Sequence, residues 1–182
     1  MLIPLRSDAP LYHRPWATIG IIALNFLVQI WIATTSIENL GPLIIEFGSI
    51  NPLEWMTRIF AHAGWMHLIG NMIFLWVFGQ IVEGKIGWWK FLAVYGGIAA
   101  ASGLVEQILM LGGQGGSLGA SSVIFGLLAI ALVWAPDNEV DCLLIFVVYV
   151  KTFEIRIRWL AALYLFFQVL GVTVLHYADQ GK

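Results

Sequence analysis

The apolar positions of this chain gather into five long runs, at 17–35, 65–82, 88–111, 119–134 and 159–175, separated by segments that carry most of its polar residues. A helix rises about 1.5 Å per residue and the hydrocarbon layer of a bilayer is about 30 Å thick, so roughly 20 apolar residues cross it. The pattern predicts an all-α fold: a polytopic transmembrane helical bundle of about five membrane helices, forming one domain over residues 1–182. The third run carries Gly96, Gly97, Ala99, Ala100, Ala101, Ser102 and Gly103, small residues that let membrane helices approach closely, which predicts a central place for that helix. Between the last two runs, 143–150 is too short to span, and 151–159 alternates polar with apolar residues. That stretch reads as an interfacial segment or a hairpin. The Gly-rich segment 112–119 reads as a mobile loop.

Composition agrees with a membrane class. Of 182 residues, 60% are hydrophobic and 11% charged, and the mean hydropathy is +0.86, more apolar surface than a water-soluble fold could hide. Nine Lys and Arg stand against eleven Asp and Glu, which leaves no basic surface to neutralise phosphates and excludes nucleic acid as a partner. The one cysteine, Cys142, excludes an internal disulfide, and with four scattered histidines no metal or other cofactor is expected. The polar stretch 1–16 precedes an apolar run too long for a signal peptide and without a small-residue cleavage site, so it reads as a retained anchor. Placing the N-terminus in the cytoplasm puts Arg6, Arg14, Lys85, Lys90, Lys151, Arg156 and Arg158 on that side and leaves Arg58 and Lys182 outside, as the positive-inside rule requires. The runs at 65–82 and 119–134 then both begin at the outer face.

Two polar signals open those same two runs. The first is His62-Ala-Gly-Trp-Met-His67-Leu-Ile-Gly-Asn71. Residues four apart share a helix face, so His67 and Asn71 project together. A polar side chain at that depth needs partners or a water-filled cavity. An interfacial histidine and a helix-to-helix amide bond would satisfy this as well as a site would. The second is Gly119-Ala-Ser121-Ser-Val-Ile-Phe125-Gly, a serine in the first helical turn behind a glycine loop. A helix start offers unpaired N–H groups and a positive dipole end for a developing oxyanion, yet a serine there also reads as a helix cap. His67, Asn71 and Ser121 lie at similar depth on one side, as convergence on one site requires.

At these residues the chain resembles a known family. His67-x-x-x-Asn71, then Leu75-Trp76-Val77-Phe78-Gly79 and Glu83 with Gly87, followed by Gly119-Ala120-Ser121, resembles the rhomboid intramembrane serine proteases over about 55–134. The resemblance implies that Ser121 attacks the scissile carbonyl of a transmembrane protein substrate near the outer membrane face. It implies that His67 and Asn71, with the Ser121 N–H, form the oxyanion site. His62 matches a supporting polar position, Glu83 a structural carboxylate, and Phe125 an aromatic position packed against the catalytic histidine. The partners implied are the lipid bilayer and transmembrane protein segments.

Two departures from the family pattern stand out. Ser122 occupies a position where the family usually has glycine, which crowds the site. The general base, in rhomboids a histidine on a sixth helix, has no counterpart helix here, because only seven residues, 176–182, follow the fifth run. Three sources of the base are open: His176 at the outer end of the last run, a segment continuing past Lys182 in a longer natural chain, or another chain. An alternative function is that of a catalytically inactive rhomboid-like protein that binds transmembrane clients. A small transporter would need charges deep within its helices or interrupted helices in repeated halves; Glu106 near the outer end of the third helix comes closest to the first, and the sequence shows no sign of the second. Asn25, Gln29 and Gln168 read as hydrogen-bonding residues between helices. The segment 36–57, with Glu38, Glu46 and Glu54, reads as a surface loop shaping substrate entry.

Overall fold

The computed structural model describes residues 2–35, 41–146 and 149–180. In chain order its elements are β1 (Leu2–Ser7), α1 (Trp16–Thr34), β2 (Ile45–Glu46), α2 (Pro52–Thr57) running into a 3-10 turn at Arg58–Phe60, α3 (Trp65–Ile86), α4 (Trp88–Leu109), β3 (Gly116–Ser117), α5 (Ser121–Trp134), β4 (Glu139–Phe146), β5 (Tyr149–Arg156) and α6 (Ile157–Gln180). Five of the six helices fall on the five apolar runs, and helix dominates as the hydropathy predicts. Among the described residues α1, α3 and α4 are long and apolar enough to cross a membrane, and Ser121–Trp134 and Ile157–Phe167 are shorter apolar helical stretches. The chain divides into two compact units, Pro10–Ile130, and Met1–Ala9 together with Ala131–Lys182.

Within Pro10–Ile130 the helices are organised for lipid rather than water. On α1 the buried residues are Thr18, Ile21, Asn25 and Gln29, one stripe at helical spacing, while Leu24, Leu27, Ile30 and Trp31 face outward. A polar stripe turned inward is the arrangement a hydrocarbon solvent favours. Among the described residues Asn25 does not bridge to a neighbouring helix as the sequence suggested: its Nδ2 donates to the Ile21 carbonyl of its own helix at 2.8 Å. The central helix is α3, which buries twelve of its residues against five on α4, and this corrects the expectation drawn from the small residues. On α4 only the stripe Phe91, Tyr95, Ala99, Gly103 and Gln107 is buried, and the small residues serve that one face. A β-carbon at Gly103 would lie 2.7 Å from the Trp55 side chain, so α2 seats there because α4 has no side chain at that point.

Both ends of α3 are tied down. Pro15, which precedes α1, offers no side-chain cap, and Glu83 supplies one from α3. Its carboxylate accepts from Ala17 N at 2.8 Å and from Thr18 N and Thr18 Oγ1 at 2.7 Å each. Anionic acceptors are favoured at a helix N-terminus, where N–H groups lack partners and the dipole is positive. The Gly84 carbonyl accepts from the N–H groups of Tyr12 and His13, which pins the entry of α1 to the same place. Gly87 then turns the chain into α4 with φ of 80°, a backbone conformation that glycine adopts without penalty.

At the other end of α3, the segment before α2 is held by a buried amide. Gln107 Oε1 accepts from Trp55 Nε1 at 2.6 Å and Asn51 N at 3.0 Å, and its Nε2 donates to the Glu46 carbonyl and to Glu54 Oε2. Glu54 is accordingly buried rather than displayed on a loop surface, and Glu38 lies outside the described residues. The segment 112–119 is attached as well: β3 pairs antiparallel with β2, Ile45 facing Ser117 and Glu46 facing Gly116, and Phe47 N–H donates to the Gly115 carbonyl.

The second unit contains a three-stranded antiparallel sheet in the order β1-β4-β5. The hairpin β4–β5 runs in continuous register from Glu139 opposite Arg156 to Phe146 opposite Tyr149, so the hairpin suggested for that stretch is present. Pairing of Leu2–Ser7 with β4, with a register shift between Pro4 and Arg6, was not visible in the sequence. Proline donates no N–H, so Pro4 suits this edge position. Asp8 Oδ1 accepts from Glu139 N at 2.7 Å and Asn138 Nδ2 at 3.0 Å, closing the turn before the sheet. Val140, Cys142, Ile157, Leu160, Ala161 and Tyr164 are buried. Burial, with Asp141 adding to it, pushes the Cys142 thiol up to about 11, so the thiol is protonated at neutral pH.

Candidate active site

Ser121 is the first residue of α5, and the glycine two positions ahead of it sets the geometry. Gly119 has φ of 119°, in the region where a β-carbon strains the backbone. A β-carbon there would stand 3.1 Å from Cε1 and 3.4 Å from Nε2 of His67, and 3.8 Å from Nδ2 of Asn71. The space that a side chain at Gly119 would fill is therefore taken by His67, with Asn71 at its edge, so the two sequence signals come together at this glycine. The helix start adds its own N–H donors at Ser121. Asn71 is 2% exposed and its Nδ2 has no acceptor among the described residues. A buried donor without an acceptor is uncommon and costs about 1–3 kcal/mol.

His62 packs edge-on against His67, ring centroids 5.2 Å apart. Burial, with His67 beside it, holds the His62 imidazole down at about 4, the Phe60 carbonyl opposing the shift. The unfolded chain protonates His62 below about pH 6.5, whereas the folded chain does so only near pH 4. Stability is therefore full above that window and falls as pH drops through it, by on the order of 3 kcal/mol at most. The unfolding midpoint in detergent is expected to decline between pH 6.5 and pH 4, and His62→Gln is expected to flatten the decline; an unchanged slope would assign it to other groups.

Phe125 is half-buried one turn beyond Ser121 on α5, and Glu83 sits at the far end of α3 from the serine, at the entry of α1. His176 lies on α6, but its side chain, like that of Gln168, is outside the described residues. Among the described residues no three His, Cys, Asp or Glu side chains come together as metal ligands.

Sequence reasoning passed over Arg58. Its carbonyl accepts from Gly119 N–H at 3.0 Å, its Nη1 reaches Glu106 Oε2 at 2.8 Å and Ser117 Oγ at 3.2 Å, and its Nη2 reaches Ser102 Oγ at 3.1 Å and Ser122 Oγ at 3.2 Å. Burial lowers the pKa of this guanidinium, and Glu106 opposes the shift. The signal was an arginine isolated on the side otherwise poor in positive charge, together with Glu106 near the same end of its helix. Ser122, expected to crowd the site, turns its hydroxyl into this cluster.

The Rhomboid domain pattern matches residues 51–178, well over half of the chain. The chain belongs to the rhomboid family. It is 35% identical over 134 residues, 71% of this chain and 42% of the relative, to RHOMBOID-like protein 5 of Arabidopsis thaliana. It is 39% identical over 83 residues, 44% of this chain and 28% of the relative, to Rhomboid-like protein 11, chloroplastic, of the same plant. With Rhomboid-like protease 2 of Toxoplasma gondii it shares 29% identity over 126 residues, 62% of this chain and 42% of the relative. The chain thus spans less than half the length of each. As a rhomboid with apolar helices of spanning length, it is an integral membrane protein, and the region matched to the family takes in every residue from Arg58 to His176 discussed above.

Proposed function

We propose that this rhomboid chain is an intramembrane serine protease that cleaves transmembrane protein segments near the outer membrane face. The observation that carries the reading is that His67 fills the space beside the Gly119 Cα, with Asn71 at its edge, two residues before Ser121, and that the Asn71 amide has no acceptor among the described residues. An amide kept buried without an acceptor costs stability, and a substrate oxyanion is the acceptor it lacks.

In this mechanism Ser121 Oγ attacks the scissile carbonyl carbon while a histidine base takes the hydroxyl proton. Negative charge moves to the carbonyl oxygen, where His67, Asn71 and the Ser121 N–H donate to it. Donors fixed in place before the reaction need no reorganisation when the charge appears, and each is worth roughly 3 kcal/mol in such sites. Collapse of the tetrahedral intermediate expels the amine, which takes the proton from the histidine, and leaves an acyl-Ser121 ester. Water, deprotonated by the same base, releases the new carboxylate. His176 is the candidate base within this sequence. The N-terminus is cytoplasmic in this reading, because the lysines and arginines of 1–16, 85–90 and 151–158 then share the inner side.

The test is reconstitution of the full natural chain in liposomes with a fluorescent single-span transmembrane substrate. Cleavage that disappears in Ser121→Ala and in His176→Ala supports the whole scheme. Loss in Ser121→Ala alone moves the base elsewhere. Binding of the substrate without cleavage favours a client-binding rhomboid instead.

A further inference from the structure

We propose that Arg58 is a positioning residue for Ser121, clamping the segment 117–122 against the end of α4 so that the nucleophile and its N–H are held in register with His67 and Asn71. The inference rests on reading Ser121 as the nucleophile. Three contacts from Arg58 land on that short segment: its carbonyl on Gly119 N–H at 3.0 Å, Nη1 on Ser117 Oγ at 3.2 Å, and Nη2 on Ser122 Oγ at 3.2 Å. The segment is thus gripped before, within and just beyond the turn that carries Ser121. Two further contacts fasten the guanidinium to α4, through Glu106 at 2.8 Å and Ser102 at 3.1 Å. Ser102 Oγ also donates to Ser122 Oγ at 3.2 Å, closing the ring.

Stability alone is a poor reason for such a group. Arg58 is 3% exposed, and a buried ion pair returns little over an apolar pair of the same volume. Geometry is a better one. Four donors of a planar fork reach a carboxylate and three hydroxyls from three elements at once, which an ammonium group cannot do in the same arrangement. Gly119 gains most, since its N–H is fixed by the Arg58 carbonyl while the space beside its Cα is filled by His67, with Asn71 at its edge. A nucleophile loop released by even 1 Å loses the alignment that attack requires. Ser122 acquires a role on this account: its hydroxyl is the attachment point immediately after the nucleophile.

The test uses the full natural chain with three variants: Arg58→Met combined with Glu106→Gln, which removes both charges together, Arg58→Lys, and Ser122→Gly. Hydrogen–deuterium exchange over 112–122 decides the matter, with α3 and α4 as internal references and the thermal midpoint as the check on folding. In the double variant, exchange in that segment is expected to rise about tenfold while the references stay unchanged. Cleavage of a transmembrane substrate should lose about 10- to 100-fold in kcat at nearly constant KM. Arg58→Lys should fall between the double variant and wild type, and Ser122→Gly should reproduce a smaller part of both effects. Exchange over 112–122 equal to wild type in the double variant would overturn the clamp, as would losses that only track the thermal midpoint. Faster exchange in a chain whose wild type cleaves nothing would uphold the clamp and sink the protease reading.

Discussion

Replacing Asn71 with leucine is expected to lower the rate of acylation at Ser121 about 100- to 1000-fold while leaving the fold as stable as before, or more stable. The two effects have one cause. Asn71 is buried on α3 with Nδ2 unpartnered among the described residues, so the folded state carries a desolvated donor that leucine would not. In the proposed mechanism the donor finds its acceptor only when charge develops on a substrate oxygen, and an interaction present mainly in the transition state appears in kcat rather than KM. Steady-state cleavage kinetics together with unfolding midpoints in detergent check this directly. A leucine variant with unchanged kcat would make Asn71 a packing residue, and one that unfolds far more easily would mean the amide has a structural partner.

Glu83→Ala is expected to destabilise the fold by about 3 kcal/mol without touching the site chemistry. The carboxylate is fully buried and takes three donors at the start of α1, where the chain provides no cap of its own. Removing it strands two helix-terminal N–H groups and a hydroxyl in a space too tight to rehydrate freely. Glu83→Gln keeps the shape but offers one acceptor oxygen instead of two, so an intermediate loss is expected. Unfolding in mixed SDS and dodecyl maltoside micelles separates this account from the alternative of a solvent-facing charge, whose removal would change stability by less than about 0.5 kcal/mol. The residual folded protein should label at Ser121 as fast as wild type.

How much of this was legible in the sequence depends on which interaction fixes each feature. The helices were legible because lipid imposes a length and an apolar composition on every spanning segment, and the observed α1, α3, α4 and α5 begin within two residues of the predicted runs. The pairing of His67 with Asn71 was legible from the helical period. The approach of Gly119 to both followed from their placement at one membrane depth. Hydropathy does not name partners, and there the reading fell short. The polar residues of α1 suggested bonds between helices, yet Asn25 turned to its own backbone. The small residues of α4 suggested a central helix, but they clear one face for Trp55, whereas the central helix α3 is recognisable by its inward polar residues Asn71, Gln80 and Glu83. Strand β1 escaped because six residues with a proline and a bulge carry no alternation long enough to notice. Arg58 escaped because a charge rule sorts arginines by side of the membrane and says nothing of an arginine that is buried.

The most direct measurement of the central claim is active-site labelling: the purified full natural chain in detergent, treated with a fluorophosphonate probe, with the modified residue located by mass spectrometry. The account predicts a single phosphonylated residue, Ser121, with labelling absent in Ser121→Ala and slowed about 100-fold or more in Asn71→Leu. Labelling of a different serine, or of Ser121 at equal rates with and without the Asn71 amide, would contradict it.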